Sequence, residues 1–333
     1  NWEIFMRKSE VVILLSIYNG AKFLDKQLES LFKQKTNCNI TIYYRDDGST
    51  DESINIINLW KDRLSMKECT SSRKCNLDLF EKYITNFSYE VLPYCEENLN
   101  YMGAFEKLVQ RSDGEYIAFC DQDDIWYENK IDKAVKTIRN KKGPILYCSD
   151  CEVINEKDVV IKETYQNKRP VITLESQLVC GSMQGCSMLF NNELKKIIVR
   201  YKSTQIPMHD IVIMYIALIN GKVIYDKEPL FGYRMHSNNV VAKDNKSILK
   251  RLKSTYILWF ESGKKYPIEE MVNDLLNNYS TILKYEDIEY LNLFLNYKRN
   301  IIKKIKIVFN SKTESSNQKG LRSFRIRVLL GII

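Results

Sequence analysis

The chain has 333 residues, enough to bury a substantial core as one large α/β domain with an appendage or as two domains. Its formal charge of +8 suits a phosphate-bearing substrate or an anionic membrane surface and does not by itself indicate nucleic acid. No apolar run approaches the roughly 20 residues needed to cross a bilayer. The first residues lack the apolar core and cleavage site of a signal peptide, and Met6 would make a natural start. Nine cysteines, an odd number without an export signal, predict scattered buried thiols in a reducing cytosol. Cys148 and Cys151 form a C-x-x-C with no second pair at metal-ligand spacing, which argues against zinc.

In chain order, the apolar run Val11 to Ile17 predicts a buried first strand that stops at the turn Tyr18-Asn19-Gly20. Phe23, Leu24, Leu28, Leu31 and Phe32 recur at helical spacing. A second strand, Ile40 to Tyr44, runs into Asp46-Asp47-Gly48-Ser49-Thr50-Asp51, where Ser49 or Thr50 can cap a helix from Asp51 to Trp60. This alternation predicts a parallel sheet with covering helices. The charged stretch from Lys61 to Glu90 reads as an excursion, with one helix around Leu77, Phe80, Tyr83 and Ile84 and a strand at Tyr89 to Leu92. A turn is expected at residues 98–103, then a helix beginning over Phe105 to Val109. Tyr116 to Cys120 predicts a strand buried on both faces, ending at Asp121-Gln122-Asp123-Asp124. A helix over Glu128 to Asn140 and a strand over Ile145 to Ser149 follow.

Beyond Asp150 the pattern changes. A strand is expected at Cys186 to Phe190 with a helix to about Tyr201, then an almost wholly apolar helix opened by His209-Asp210. A strand pair, Lys222 to Tyr225 and Leu230 to Arg234, ends at Met235-His236. Helices run from about Asn245 to Val308. Ser311 to Gln318 reads as a polar linker, and Lys319 to Ile333 as a short basic amphipathic tail.

Two acidic clusters thus end two predicted strands. In a parallel sheet both lie on one edge, the edge where open α/β sheets bind ligands. Clustered carboxylate oxygens suit a hard cation such as Mg²⁺ or Mn²⁺, and through it a phosphate. Neither a P-loop nor a dinucleotide fingerprint is present. Both histidines stand beside these features: His209 before Asp210, and His236 after Arg234. A lone histidine is more often structural, and Asp210 at a helix start can simply be a cap.

The Tyr-Asn-Gly turn, Asp-Asp-Gly-Ser-Thr-Asp at 46–51, Asp-Gln-Asp-Asp-Ile-Trp at 121–126 with Lys130, His-Asp at 209–210 and Tyr-Arg-Met-His-Ser-Asn-Asn at 233–239 stand in an order that resembles the family 2 glycosyltransferases. They are most similar to the bacterial rhamnosyltransferase branch for surface polysaccharides. The resemblance spans about residues 10–241, read as a nucleotide-sugar-binding half (10–150) and an acceptor-binding half (151–241). A helical region (245–310) and the tail (319–333) lie outside it. It implies a three-layer α/β/α A-type fold with a mostly parallel central sheet and a C-terminal helical extension. It also implies a metal-dependent inverting glycosyltransferase taking a nucleotide-diphosphate sugar, with dTDP-L-rhamnose as first choice of donor. The acceptor would be a saccharide or lipid-linked oligosaccharide of capsule, O-antigen or cell-wall synthesis.

By matching positions, Tyr18, Asn19, Asp46, Asp47, Asp121 and Arg234 would hold the donor. Asp123 and His236 would hold Mn²⁺ or Mg²⁺, Asp210 would be the general base, and Trp126 and His209 would face the acceptor. The chain departs from the pattern at Ser16-Ile17 before Tyr18, at Ile211 and at Met235, which bears on the choice of sugar. A UDP-hexose donor and a non-catalytic nucleotide-sugar-binding scaffold are the alternatives. No nucleic-acid module is expected. A cytoplasmic protein is expected, peripheral at the inner face of the plasma membrane if the tail binds anionic lipid; a terminal helix packed on the core, or a homodimer contact, is the competing reading of that tail.

Overall fold

The computed structural model describes residues 10–68, 84–86, 100–181, 183–201, 209–236 and 267–333. Within them the strands are β1 (Val11–Ile17), β2 (Ile40–Asp46), β3 (Ile84–Asn86), β4 (Tyr116–Cys120), β5 (Ile125–Trp126), β6 (Ile145–Ile154), β7 (Val160–Lys162), β8 (Met188–Asn191) and β9 (Lys222–Arg234). The helices are α1 (Ala21–Phe32), α2 (Ser53–Glu68), α3 (Asn100–Arg111), α4 (Lys130–Ile138), α5 (Leu174–Val179), α6 (Asn192–Arg200), α7 (His209–Asn220), α8 (Ile268–Tyr279), α9 (Tyr285–Asn292), α10 (Ile301–Phe309) and α11 (Gln318–Leu330). The chain divides into two compact units. The first comprises residues up to Tyr165 with Gln184–Val199 and Ile224–His236; the second comprises Gln166–Met183, Arg200–Val223 and the remainder.

The first unit is built on one sheet in the order β3-β2-β1-β4-β8-β6-β9-β5, with β7 added beside β6. β3, β2, β1 and β4 are parallel, whereas β8 runs antiparallel to both β4 and β6, and β5 antiparallel to β9. The parallel character therefore belongs to the N-terminal strands. β1 is central, between β2 and β4, and Val11, Val12, Ile13, Leu14 and Leu15 are all fully buried, as a strand covered on both faces requires. Ile13, Leu15, Ala118 and Cys120 share a core with Leu24, Leu28 and Leu31 of α1, Ile57 of α2 and Ile131, Val135 and Ile138 of α4. On alternate positions Phe119 meets Phe105 of α3 edge to face at 5.0 Å and Phe190 of β8 at 5.5 Å. Helices thus cover both faces, giving three layers. Each fully buried leucine of α1 contributes about 2 kcal/mol by leaving water.

Several expectations are corrected. Ile84 lies in β3, beside Ile40, not in a helix; residues 69–83 and the strand expected at Tyr89 to Leu92 fall outside the described residues. Asn100 to Gly103 begin α3 rather than a turn, asparagine being well suited to a helix start and one glycine a tolerable cost. β6 continues past Ser149 because buried Asp150 turns its carboxylate onto the Cys151 and Tyr165 amides. The expected strand pair at 222–234 is one strand: Asp226-Lys227-Glu228-Pro229 lacks the glycine or asparagine a tight hairpin needs. Cys148 and Cys151 are buried sheet residues, and burial raises the Cys148 thiol to about 12.

The second unit is helical. Met271, Val272 and Leu275 of α8, Tyr290 and Leu291 of α9, Ile307 of α10 and Leu321, Phe324 and Val328 of α11 are buried, and the Phe294 ring lies 6.3 Å from that of Phe324. The segment expected as a polar linker is instead part of this core. Thr313 and Ser315 are buried, and Thr313 Oγ1 lies 2.8 Å from the Tyr290 hydroxyl. Lys312 pairs with Glu175 at 2.8 Å and Asp287 at 2.7 Å. The basic tail is helix α11, closed by left-handed Gly331 (φ 68°). Its inner face is packed in this unit.

Candidate active site

Parallel pairing sets three strand ends on one edge. Ile17 of β1 stands opposite Asp46 of β2, and Leu15 opposite Cys120 of β4. The chain leaves β1 through Asn19 in a left-handed conformation (φ 48°), which asparagine tolerates. The loop after β2 and the first residue of α2 then hold the amides that lead into α1. Asn19 N donates to Ser49 Oγ at 2.8 Å, Gly20 N to Ser53 Oγ at 2.9 Å and Ala21 N to Asp51 Oδ2 at 3.0 Å. Thr50 N returns a bond to Asn19 Oδ1 at 2.8 Å. Asp51, rather than Ser49 or Thr50, also takes the Ser53 amide at the start of α2. Gln122, after β4, closes the stitch: Tyr18 N donates to its Oε1 at 2.8 Å, and its Nε2 donates to Tyr18 O at 2.9 Å.

The acidic residues of the two clusters differ sharply in setting. Asp46 folds back as an Asx turn, accepting from Gly48 N at 3.1 Å and Ser49 N at 3.0 Å. The Asp47 side chain is almost fully buried against Arg45, with an Nη2–Oδ1 distance of 3.1 Å. Asp121 and Asp123 are partly exposed, whereas Asp124 is buried. Burial, reinforced by Asp123 and Asp121, raises the Asp124 carboxyl well above the ordinary range. Its Oδ1 accepts the Arg234 amide at 3.0 Å.

The end of β9 brings His236 to Asp123, Nε2 lying 2.7 Å from Oδ2. Two residues earlier, Arg234 is completely buried. Its Nε donates to Asp123 O at 2.6 Å, its Nη1 to Asn155 O at 2.9 Å and to Asp158 Oδ1 at 2.5 Å, and it lies 4.6 Å from the centre of the Phe23 ring. Phe23 also stands 5.1 Å from the His236 ring. The expected donor contact of Arg234 is thus replaced by a supporting one: the guanidinium is engaged by the Asp123 backbone and the β6–β7 turn.

Asp121, Asp124 and Cys186 carry potential metal-ligand atoms within 4.8 Å of one another. Cys186 is a poor partner for a hard cation: its thiol is fully buried, and burial together with Asp124 and Asp121 raises it well above the ordinary value. Asp123 and His236 offer an oxygen and a nitrogen close together and nearer to solvent, a donor pair that fits Mn²⁺ or Mg²⁺. Trp126, expected toward the acceptor, is instead a core residue, 2% exposed, because β5 pairs it with Phe231. The buried Lys130 ammonium sits 4.8 Å from the Trp126 ring and 4.5 Å from that of Phe231, and burial lowers it to about 8.

His209 and Asp210 belong to the second unit, at the first turn of α7. Asp210 Oδ1 accepts the Ile211 amide at 2.8 Å. Desolvation nevertheless raises its carboxyl to about 6, the amide bond opposing the shift. Desolvation lowers His209 to about 3, so its ring is neutral near pH 7.

Gln122, Asp158, Asn155 and Phe23 were not foreseen as site residues. Asn155 and Asp158 frame a turn by composition, but their reach to Arg234 spans 79 and 76 residues of chain and carries no local signal.

Comparison with known proteins identifies the family. The profile of Glycosyl transferase family 2 matches residues 12–73 and 81–197, more than half of the chain, which therefore belongs to that family and is a glycosyltransferase. The chain is 27% identical over 265 residues to the dTDP-rhamnosyl transferase RfbG of Shigella flexneri, covering 74% of this chain and 80% of that one. It is 25% identical over 269 residues to an uncharacterised glycosyltransferase of Rickettsia typhi, covering 79% and 74%. Among solved structures, residues 1–349 of Staphylococcus aureus TarS with UDP-GlcNAc superpose with a TM-score of 0.52 at 12% identity, over 96% of this chain and 90% of that one. That likeness supports the A-type fold.

Proposed function

We propose that the protein is an inverting glycosyltransferase that takes a nucleotide-diphosphate sugar at the edge formed by β1, β2 and β4. The observation that carries this is the Asp123–His236 pair at 2.7 Å, held beside the Tyr18–Gln122 stitch. Tyr18, Asn19 and the Asp46 turn form the nucleoside end of the pocket, with Asp47 keeping that turn in place through Arg45. Asp121 takes the ribose. Asp123 and His236 hold Mn²⁺ or Mg²⁺, which when bound offsets the charge that develops on the departing diphosphate. Arg234 acts through Asp123, holding its backbone still.

Asp210 takes the proton of the acceptor hydroxyl as that oxygen attacks the anomeric carbon from the face opposite the leaving group. A carboxyl raised to about 6 is ionised near pH 7 and is a stronger base than an ordinary aspartate. His209, neutral beside it, faces the acceptor.

The donor is dTDP-L-rhamnose and the product a bacterial surface polysaccharide; the similarity to RfbG supports this choice. A second reading, a UDP-hexose donor with a lipid-linked acceptor, is supported by 28% identity over 157 residues to the UDP-Glc:alpha-D-GlcNAc-diphosphoundecaprenol beta-1,3-glucosyltransferase WfaP of Escherichia coli. The test is a panel of nucleotide sugars with Mn²⁺ or Mg²⁺, scored for donor hydrolysis and for transfer to saccharide and lipid-linked acceptors. Preferential use of dTDP-rhamnose is expected. Turnover of UDP-hexoses alone would shift the assignment to the second reading, and binding without any turnover would leave a scaffold.

A further inference from the structure

We propose that the outward face of α10, together with the last turn of α11, docks on an anionic lipid surface. The inner face of α10 is held by Ile307 and Val308, which are buried. On its other side Ile302, Ile305 and Phe309 follow one another at i, i+3 and i+7, a single helical face. Ile302 is 63% and Phe309 80% exposed. Isolated apolar residues on a surface are ordinary; an aligned stripe of three is a contact face.

The stripe does not end with α10. Lys304 Nζ donates to Leu329 O at 3.1 Å, so the C-terminal turn of α11 lies against α10. That turn exposes Leu329 and Leu330, while Leu321, Phe324 and Val328 of the same helix are buried. The terminal helix is therefore not an anchor by itself. Its inner face is used up by packing, and α10 supplies most of the apolar surface.

Charge identifies the occupant. Residues 293–333 hold ten Lys and Arg against the single acid Glu314, a balance of +9, against +8 for the whole chain. All of the excess positive charge thus resides in these helices and their connections. Lys298, Arg299, Lys306, Lys319 and Arg322 are exposed. Exposed apolar residues flanked by cations match the acyl boundary and headgroups of an anionic bilayer. A symmetric contact with a second copy would set these cations against themselves. Among the described residues no helix is long and apolar enough to cross a membrane, so the attachment is to the surface.

The test uses the full chain and does not depend on the donor or acceptor. Co-sedimentation is measured with phosphatidylcholine vesicles and with vesicles of phosphatidylcholine and phosphatidylglycerol, at low and high salt. Binding to the anionic vesicles is expected to exceed that to neutral ones by about tenfold or more and to fall with salt. The triple variant Ile302→Ser, Ile305→Ser, Phe309→Ser and the double variant Lys306→Glu, Arg322→Glu should each lose most of the bound fraction while melting near the parent temperature. If the triple variant fails to fold, the double variant decides. Equal binding to both vesicle types, no binding, or undiminished binding by the folded variants would overturn the proposal. So would a dimer in sedimentation equilibrium that the triple variant turns into a monomer.

Discussion

Gly20 has no room for a side chain because Gln122 occupies it: a Cβ at Gly20 would lie 2.3 Å from Gln122 Oε1. The Gly20 backbone itself is ordinary (φ −99°), so the requirement is space and not conformation. Gly20→Ala is expected to push the Gln122 amide off the Tyr18 backbone and destabilise the fold by about 1–3 kcal/mol in denaturant titration. Gln122→Ala should give part of the same loss. The double variant should fall well short of the sum, since both changes break the same two bonds.

The Asp123–His236 pair predicts a graded effect on metal use. His236→Ala should raise the Mn²⁺ concentration for half-maximal activity by about tenfold or more, and Asp123→Asn should raise it further. Calorimetric titration of Mn²⁺ in the presence of nucleoside diphosphate checks both. Unchanged Mn²⁺ dependence in Asp123→Asn would reject this carboxylate as a ligand.

Arg234→Lys tests the supporting role. Lysine keeps the charge but cannot engage Asp123 O, Asn155 O and Asp158 with one planar group. A stability loss of about 1–3 kcal/mol is expected, because the Asp123 and Asn155 carbonyls lose guanidinium donors while Asp158 keeps its ion pair with Lys26. Weakened Mn²⁺ binding should accompany it, whereas a role confined to packing would leave the metal titration unmoved.

The role proposed for Asp210 predicts the acid limb of activity. As a base it must be ionised, so kcat/KM should fall as pH drops through about 6. Asp210→Asn should lower kcat by about a hundredfold or more with donor affinity retained. The linkage to stability has the opposite sign. The folded carboxyl holds its proton to a higher pH than the unfolded one, so this group contributes less stability as pH rises toward and through about 6. Asp210→Asn should therefore flatten that part of the stability profile.

Much of the first unit was legible in sequence. Val11 to Ile17 and Tyr116 to Cys120 are apolar almost without interruption, and both are strands buried on both faces. Helical spacing of Leu24, Leu28 and Leu31 located α1. Reading failed where distant packing overrides local preference. Pro229 and its charged neighbours suggested a break, yet β9 runs through them with Phe231 paired to Trp126. The segment 311–318 is polar by composition, yet Tyr290 and Lys312 draw it into the helical core.

The sequence by itself determined that acidic residues follow apolar strands, and in what order the family's motifs stand, because strand and turn preferences act over a few neighbouring residues. Tertiary structure decided which polar groups remain available. Arg45 engages Asp47, burial sequesters Asp124, and Asp158 with Asn155 takes up Arg234. Asp123 is paired instead with His236, a residue 113 positions away. Such pairings follow from sheet order and register, which bring chain-distant ends to one edge, and no local pattern encodes them.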